Sequence, residues 1–143
     1  MIELDDNPAR LDLTRIHGWL VSSYWSPGIE RALLERAIAG SHPLGAYEGN
    51  EQVGFARVIT NYATFAWIAD VWIAESQRGA GLARRMVAWL VDHPRLEGVR
   101  RIGLTTADAH GVYAKLGFTP LHRPDRYMER LSPEALALLE TAS

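Results

Sequence analysis

The run Arg78-Gly79-Ala80-Gly81-Leu82-Ala83 constrains this chain more than any other stretch. It follows an apolar segment, Phe65 to Ile73, and opens a helix striped by Leu82, Ala83, Met86, Val87, Leu90 and Val91. A strand, a tight glycine turn and a helix start, in that order, leave backbone N–H groups unpaired and pointing outward. Such a turn binds anionic oxygens, phosphate above all. Gly79 and Gly81 let the backbone come close to a ligand, and Arg78 adds a cation beside it. The expected guest carries a pyrophosphate.

The usual nucleotide motifs do not fit. A P-loop needs Lys-Ser/Thr after its glycines, and none follows here. A Rossmann fingerprint needs a third glycine where Arg84 stands, on the first βα unit of a parallel sheet. About half of this chain precedes the loop.

Composition narrows the class. At 143 residues the chain has the length of one domain, 1–143, able to enclose a core and a cleft. The formal net charge of -2 gives no electrostatic support to a nucleic-acid or anionic-membrane partner. Cysteine is absent, which removes disulfides, thiolate metal sites and a cysteine nucleophile, and no metal is expected. No stretch nears the ~20 apolar residues of a membrane span, and the acidic start, Met1 to Asp6, is no signal peptide, so a cytoplasmic location is expected.

Local patterns supply the elements. Asp12 caps a first helix, with Leu13, Ile16 and Leu20 on one face. Ser26 and Pro27 read as the N-cap and first residue of a second helix that Gly40 ends. Strands follow at 44–47 and 53–60, joined through Gly49-Asn50, and Asn61-Tyr62 turns the chain back into the Phe65–Ile73 strand. After the glycine-loop helix, closed by Pro94, come a strand at 101–105 and a helix capped by Asp108 and ended by Gly117. Phe118 and Tyr127 to Leu131 suggest a closing strand pair, and Ser132-Pro133-Glu134 starts a last helix bearing Leu136 and Leu139. The order is α+β: a mixed, mostly antiparallel sheet flanked by helices.

Two motifs together point to a family. Arg-x-x-Gly-x-Ala at residues 78–83 resembles the acyl-CoA signature of the GNAT superfamily of N-acetyltransferases. Downstream, Ala109-His110-Gly111-Val112-Tyr113-Ala114-Lys115-Leu116-Gly117-Phe118 resembles its Ala-x-x-x-Tyr-x-x-x-Gly-Phe block. The resemblance covers roughly residues 53–120. It implies the GNAT fold, acetyl-CoA as co-substrate, and transfer of acetyl to a primary amine by direct attack in a ternary complex.

It also implies roles. Tyr113 would lie near the CoA sulfur, where a phenol of ordinary pKa ~10 can protonate the departing thiolate. Val71, Trp72 and Ile73 would pair their backbone with the pantetheine arm, and Arg78, Gly79, Ala80, Gly81, Leu82, Ala83 and Arg84 would surround the pyrophosphate. Thr106 stands where many relatives have asparagine, so no side-chain amide contact is expected there. For the base, strict alternation sets Asp70 on the face opposite Phe65, Trp67, Ala69, Val71 and Ile73; an ion pair with Arg57 is the structural alternative. Glu75 and His110 are weaker candidates. Tyr24 and Trp25, with Trp67 or Trp72, are candidates for an acceptor pocket, expected to take a small-molecule amine. A non-catalytic acyl-CoA sensor is the rival reading, and an edge strand or the Leu136/Leu139 helix could support a homodimer.

Overall fold

The computed structural model describes residues 1–141. Five strands form one mixed sheet in chain order: β1 (Ile2–Asp5), β2 (His42–Glu48), β3 (Glu51–Thr60), β4 (Ala66–Ile73) and β5 (Ile102–Gly103). The first four are antiparallel, and β5 runs parallel to β4. The helices are α1 (Leu13–Leu20), α2 (Arg31–Ala39), α3 (Leu82–Val91), α4 (His110–Ala114) and α5 (Pro133–Thr141).

The pleat of β3 divides the core. Phe55 faces α1 and α2 and packs with Ile16, Leu20, Leu34 and Ile38. Its neighbours Ala56 and Val58 face α3 and join Met86, Val87 and Leu90. Helix α3 is the crossover that a parallel β4–β5 pair requires.

Several expectations are met at close range. Asp12 accepts from the Arg15 N–H at 3.0 Å, and Gly40 stands at the α2 C-cap. Glu48 pairs with Glu51 across Gly49-Asn50. Asn61 Oδ1 accepts from Ala63, Thr64 and Phe65, closing the β3–β4 turn.

Others are corrected. The acidic start forms an edge strand: Ile2 and Leu4 pack against the core, and Arg10 clamps Glu3 and Asp5 at 2.6 and 3.0 Å. Helix α2 begins at Arg31, not at Pro27. Gly28, at φ 68°, donates its N–H to Val21 O, and Ser26 N–H is taken by Ser23 Oγ, so this segment is a turn. Residue Ala109, not Asp108, stands at the α4 N-cap, and its N–H goes to Thr106 Oγ1 at 3.0 Å.

The closing strand pair does not form. Pro120 and Pro124 each lack an N–H for a ladder, and residues 119–130 are exposed. Within that stretch the hydrogen bonds are local: Thr119 to Pro120 O, Arg123 to Asp125, and one turn at Pro124–Arg126. Ser132 then starts α5 as expected, its Oγ accepting from Ala135 N–H at 3.1 Å.

Candidate active site

The site is built on a fault in the sheet. Strand β4 pairs with β3 along its length but meets β5 only at Ala66 and Trp67. From Ile68 onward its other edge has no strand partner. Beyond β5 the chain turns away, and Ala107 N–H donates to the Tyr24 hydroxyl at 3.0 Å instead of to a strand. A cavity of about 770 Å³ fills the gap, lined by Ile68–Val71 on one side and Leu104–Ala109 on the other.

A bulge shapes the same edge. Phe55 pairs with Trp72 and Arg57 with Ala69, so Asp70 and Val71 together oppose the single residue Ala56. Asp70 has φ 55°, a left-handed conformation uncommon outside glycine. The bulge breaks the expected alternation. Ala69 and Trp72 share the α1/α2 face of the sheet with Arg57 and Phe55, whereas Val71 and Ile73 pack on the α3 side. The five odd-numbered residues therefore do not share one face.

Asp70 is 9% exposed, and each of its oxygens accepts from one donor. Its Oδ2 accepts from Arg57 Nε at 2.7 Å and its Oδ1 from Trp25 Nε1 at 2.8 Å. Arg57 also donates to Ser41 Oγ, which donates to Ala37 O at the end of α2. The α1–α2 turn is thus tied to β4, with Ser23, 3% exposed, bracing it through Leu20 O and Ser26 N–H. The ion pair with Arg57 that the sequence offered as an alternative is formed. A carboxylate has about four lone-pair positions, so two donors leave it acceptor capacity at the cavity wall.

Tyr24 and Trp25 both line the cavity, their rings edge-to-face at 4.9 Å. Trp67 lines it too, while Trp72 lies between Trp25, at 6.1 Å, and the Arg78 guanidinium, at 5.1 Å. Tyr113 reaches the same cavity from α4. Gly117, at φ 91°, ends that helix, and Phe118 folds back so that its N–H meets Tyr113 O and its ring meets the Tyr113 ring edge-on at 6.0 Å. Burial, reinforced by Tyr24 and Asp108, raises the Tyr113 pKa above the ordinary phenol value. Glu75 lies exposed in a short turn and His110 exposed at the start of α4; neither lines the cavity.

At the other end of the edge stands the glycine loop. Gly79 and Gly81 have φ 85° and 81°, and a Cβ on either would meet nothing within 4 Å. Gly81 is the α3 N-cap, and no side chain caps the helix. The N–H groups of Leu82, Ala83 and Arg84 thus have no intrahelical acceptor. Arg78 is exposed and donates through Nε to Ile73 O at 2.9 Å, so this carbonyl is partly engaged.

One strand edge thus runs from a helix start bare of side-chain caps to a cavity that holds a partly buried phenol. The sequence model of the acetyltransferase (GNAT) family matches residues 6–118. The chain belongs to the GNAT family. A solved structure from Xanthomonas campestris pv. campestris, described as belonging to that family, is 40% identical, covers 93% of this chain and 94% of its own, and superposes with a TM-score of 0.89. A Gibberella zeae protein with an acetyltransferase designation is 37% identical over 68 residues, 46% of this GNAT chain; the chain spans 37% of that protein's length. A Clostridium acetobutylicum protein solved with acetyl-CoA has the same fold at 18% identity, with a TM-score of 0.69 over 92% of this chain and 96% of its own.

Sequence reasoning missed one wall. Ala135, Leu138 and Leu139 of α5 line the cavity, although the helix reads from sequence only as a self-association face. Leu136 and Leu139 remain about half exposed. No local motif marks a helix that arrives over the site after an extended connection.

Proposed function

We propose that this GNAT chain transfers acetyl from acetyl-CoA to the primary amine of a small molecule by direct attack in a ternary complex. One observation carries the reading. The unpaired β4 edge runs from the uncapped α3 N-terminus to a cavity that holds Tyr113 and Asp70 together. An amide-bearing pantetheine arm suits such an edge, because it can hydrogen-bond as an added strand. Val71, Trp72 and Ile73 supply that backbone, and Arg78 to Arg84 supply donors and cations for the pyrophosphate. The bare space over Gly79 and Gly81 fits close approach by phosphate oxygens.

In this reading Tyr113 is the acid: a phenol kept neutral by burial donates its proton to the departing thiolate. Asp70 receives the amine's proton, directly or through a water, while Arg57 and Trp25 hold it in place. Tyr24, Trp25 and Trp67 form the acceptor walls, and a cationic amine gains attraction from their faces. The test is turnover of acetyl-CoA across a panel of small amines, read as released thiol. Turnover with one amine class supports the reading. Tight acetyl-CoA binding with no turnover on any amine would favour a sensor module instead.

A further inference from the structure

Asp6, His42 and His93 come from three elements: just past β1, the first residue of β2 and just past α3. Their ligating atoms all lie within 4.8 Å of one another. Both imidazoles direct Nε2 at the same oxygen, Asp6 Oδ2, at 2.8 Å from His42 and 3.2 Å from His93. None of the three lines the acyl-transfer cavity. We propose that they form a site for a divalent transition metal of the zinc type, a structural staple joining β1, β2 and the C-terminal end of α3.

The donor chemistry sets the metal class. Two imidazoles and one carboxylate, with no thiolate, suit zinc and its first-row neighbours better than magnesium or calcium. Ligands at about 2.0–2.1 Å from a tetrahedral ion stand roughly 3.4 Å apart, so the 2.8 Å contact of Asp6 with His42 must open by roughly half an ångström and the 3.2 Å contact with His93 by roughly 0.2 Å. The Asp6 side chain is 33% exposed, against 11% and 16% for His42 and His93, which leaves an approach from solvent and room for a water as fourth ligand.

The surroundings divide between the two rings. His42 Nδ1 lies 3.0 Å from the Tyr62 hydroxyl, whose oxygen can accept a hydrogen bond from Nδ1–H when Nε2 binds metal. Tyr62 has φ 60°, an outlier for a bulky residue, and this backbone sets the phenol against the ring. His93 is held differently. Its Nδ1 accepts from Arg95 N–H at 3.1 Å, which places the ring proton on Nε2, toward Asp6. Metal binding must move that proton to Nδ1 and break the Arg95 bond. The Arg95 guanidinium, 3.7 Å over the Tyr62 ring, adds an unfavourable positive charge. Both effects set a moderate affinity, and the first provides a signature.

The test uses the full chain after chelation and dialysis. Zinc is titrated by calorimetry, and cobalt(II) by the visible absorption of a tetrahedral site. We expect one equivalent bound, a rise in melting temperature, and at least about a tenfold loss of affinity in His42→Gln and in His93→Gln. In ¹⁵N spectra of the wild-type rings, zinc should switch the His93 proton from Nε2 to Nδ1. That readout serves even if a variant fails to fold. No saturable binding at micromolar zinc would overturn the proposal and leave a hydrogen-bonded clamp. Binding that survives both substitutions, with the His93 tautomer unchanged, would overturn it equally.

Discussion

Tyr113 and Asp70 line one cavity but are held in different ways, and the difference is testable residue by residue. The Tyr113 phenol has a pKa raised by burial, so a general acid there stays protonated past the ordinary value of about 10. An alkaline fall in rate due to this group should therefore be displaced to higher pH than an ordinary phenol would give. Tyr113→Phe keeps the ring against Phe118 and removes the proton; turnover should fall by ~10²-fold or more with acetyl-CoA affinity little changed. A full-rate variant would assign the proton to another donor. Asp70→Asn keeps the shape but removes the charge opposite Arg57. The pair is buried, with side chains 6% and 13% exposed, so the variant should lose about 3 kcal/mol of stability. If Asp70 is the base, the folded fraction should also turn over about 10²-fold more slowly at neutral pH and recover partly at high pH, where the amine is already free. Rate per folded molecule and melting temperature, measured on one preparation, separate the two effects. The candidacy of both residues was legible from motif and position, and both line the cavity. The Arg57 pair of Asp70 was legible too, but its left-handed backbone was not, because alternation assumes an unbroken pleat and the bulge inserts a residue that no local pattern announces.

At the scale of elements, what the sequence shows well is what neighbours in the chain decide. The glycine loop, the Gly49-Asn50 hairpin, the Asp12 cap and the Gly40 and Gly117 stops all depend on contacts within a few residues. What it hides depends on distant partners. β1 exists because β2 offers an edge and Ile2 and Leu4 reach the core, and four residues are too few to signal a strand. The closing strands fail for the converse reason: their apolar residues promise a ladder that the prolines deny. The loop also yields the prediction proper to an element. Gly81→Glu would force a side chain into a φ of 81° and set a carboxylate at the start of α3, where phosphates are expected. Acetyl-CoA should stabilise the wild type and leave Gly81→Glu unshifted in a melting experiment. Unchanged calorimetric affinity in a folded Gly81→Glu protein would remove the loop from the binding site.

For the whole molecule, the cavity is a product of assembly: the α1–α2 turn, β4, the segment after β5, α4 and α5 each add a wall, and only their fold brings them together. Global stability depends in part on a residue far from it. Tyr47 is 2% exposed, curls over Gly45 and has a buried hydroxyl without a partner. Burial pushes its pKa up to about 12, although Arg10 opposes the shift. The folded value lies above the unfolded value of ~10, so the contribution of the neutral phenol is complete below ~10 and is lost as pH rises through the folded pKa. Melting temperature should fall in that window, and Tyr47→Phe should flatten the fall. At neutral pH the variant should match or exceed the parent, since it removes a buried hydroxyl whose unmet hydrogen bond costs ~1–3 kcal/mol. The sheet itself has one last implication. An apolar strand with an unpaired edge is a template for aggregation, and proteins ordinarily blunt such edges with charges or prolines. Here the open edge, Ile68 to Val71, is recessed in the cavity, walled by residues 104–109 beyond the short β5 and by Tyr24 and Trp25 of the α1–α2 turn. A slender chain can lie along it, but a second sheet cannot reach it, so the same recess that admits a ligand keeps the protein from pairing with itself there.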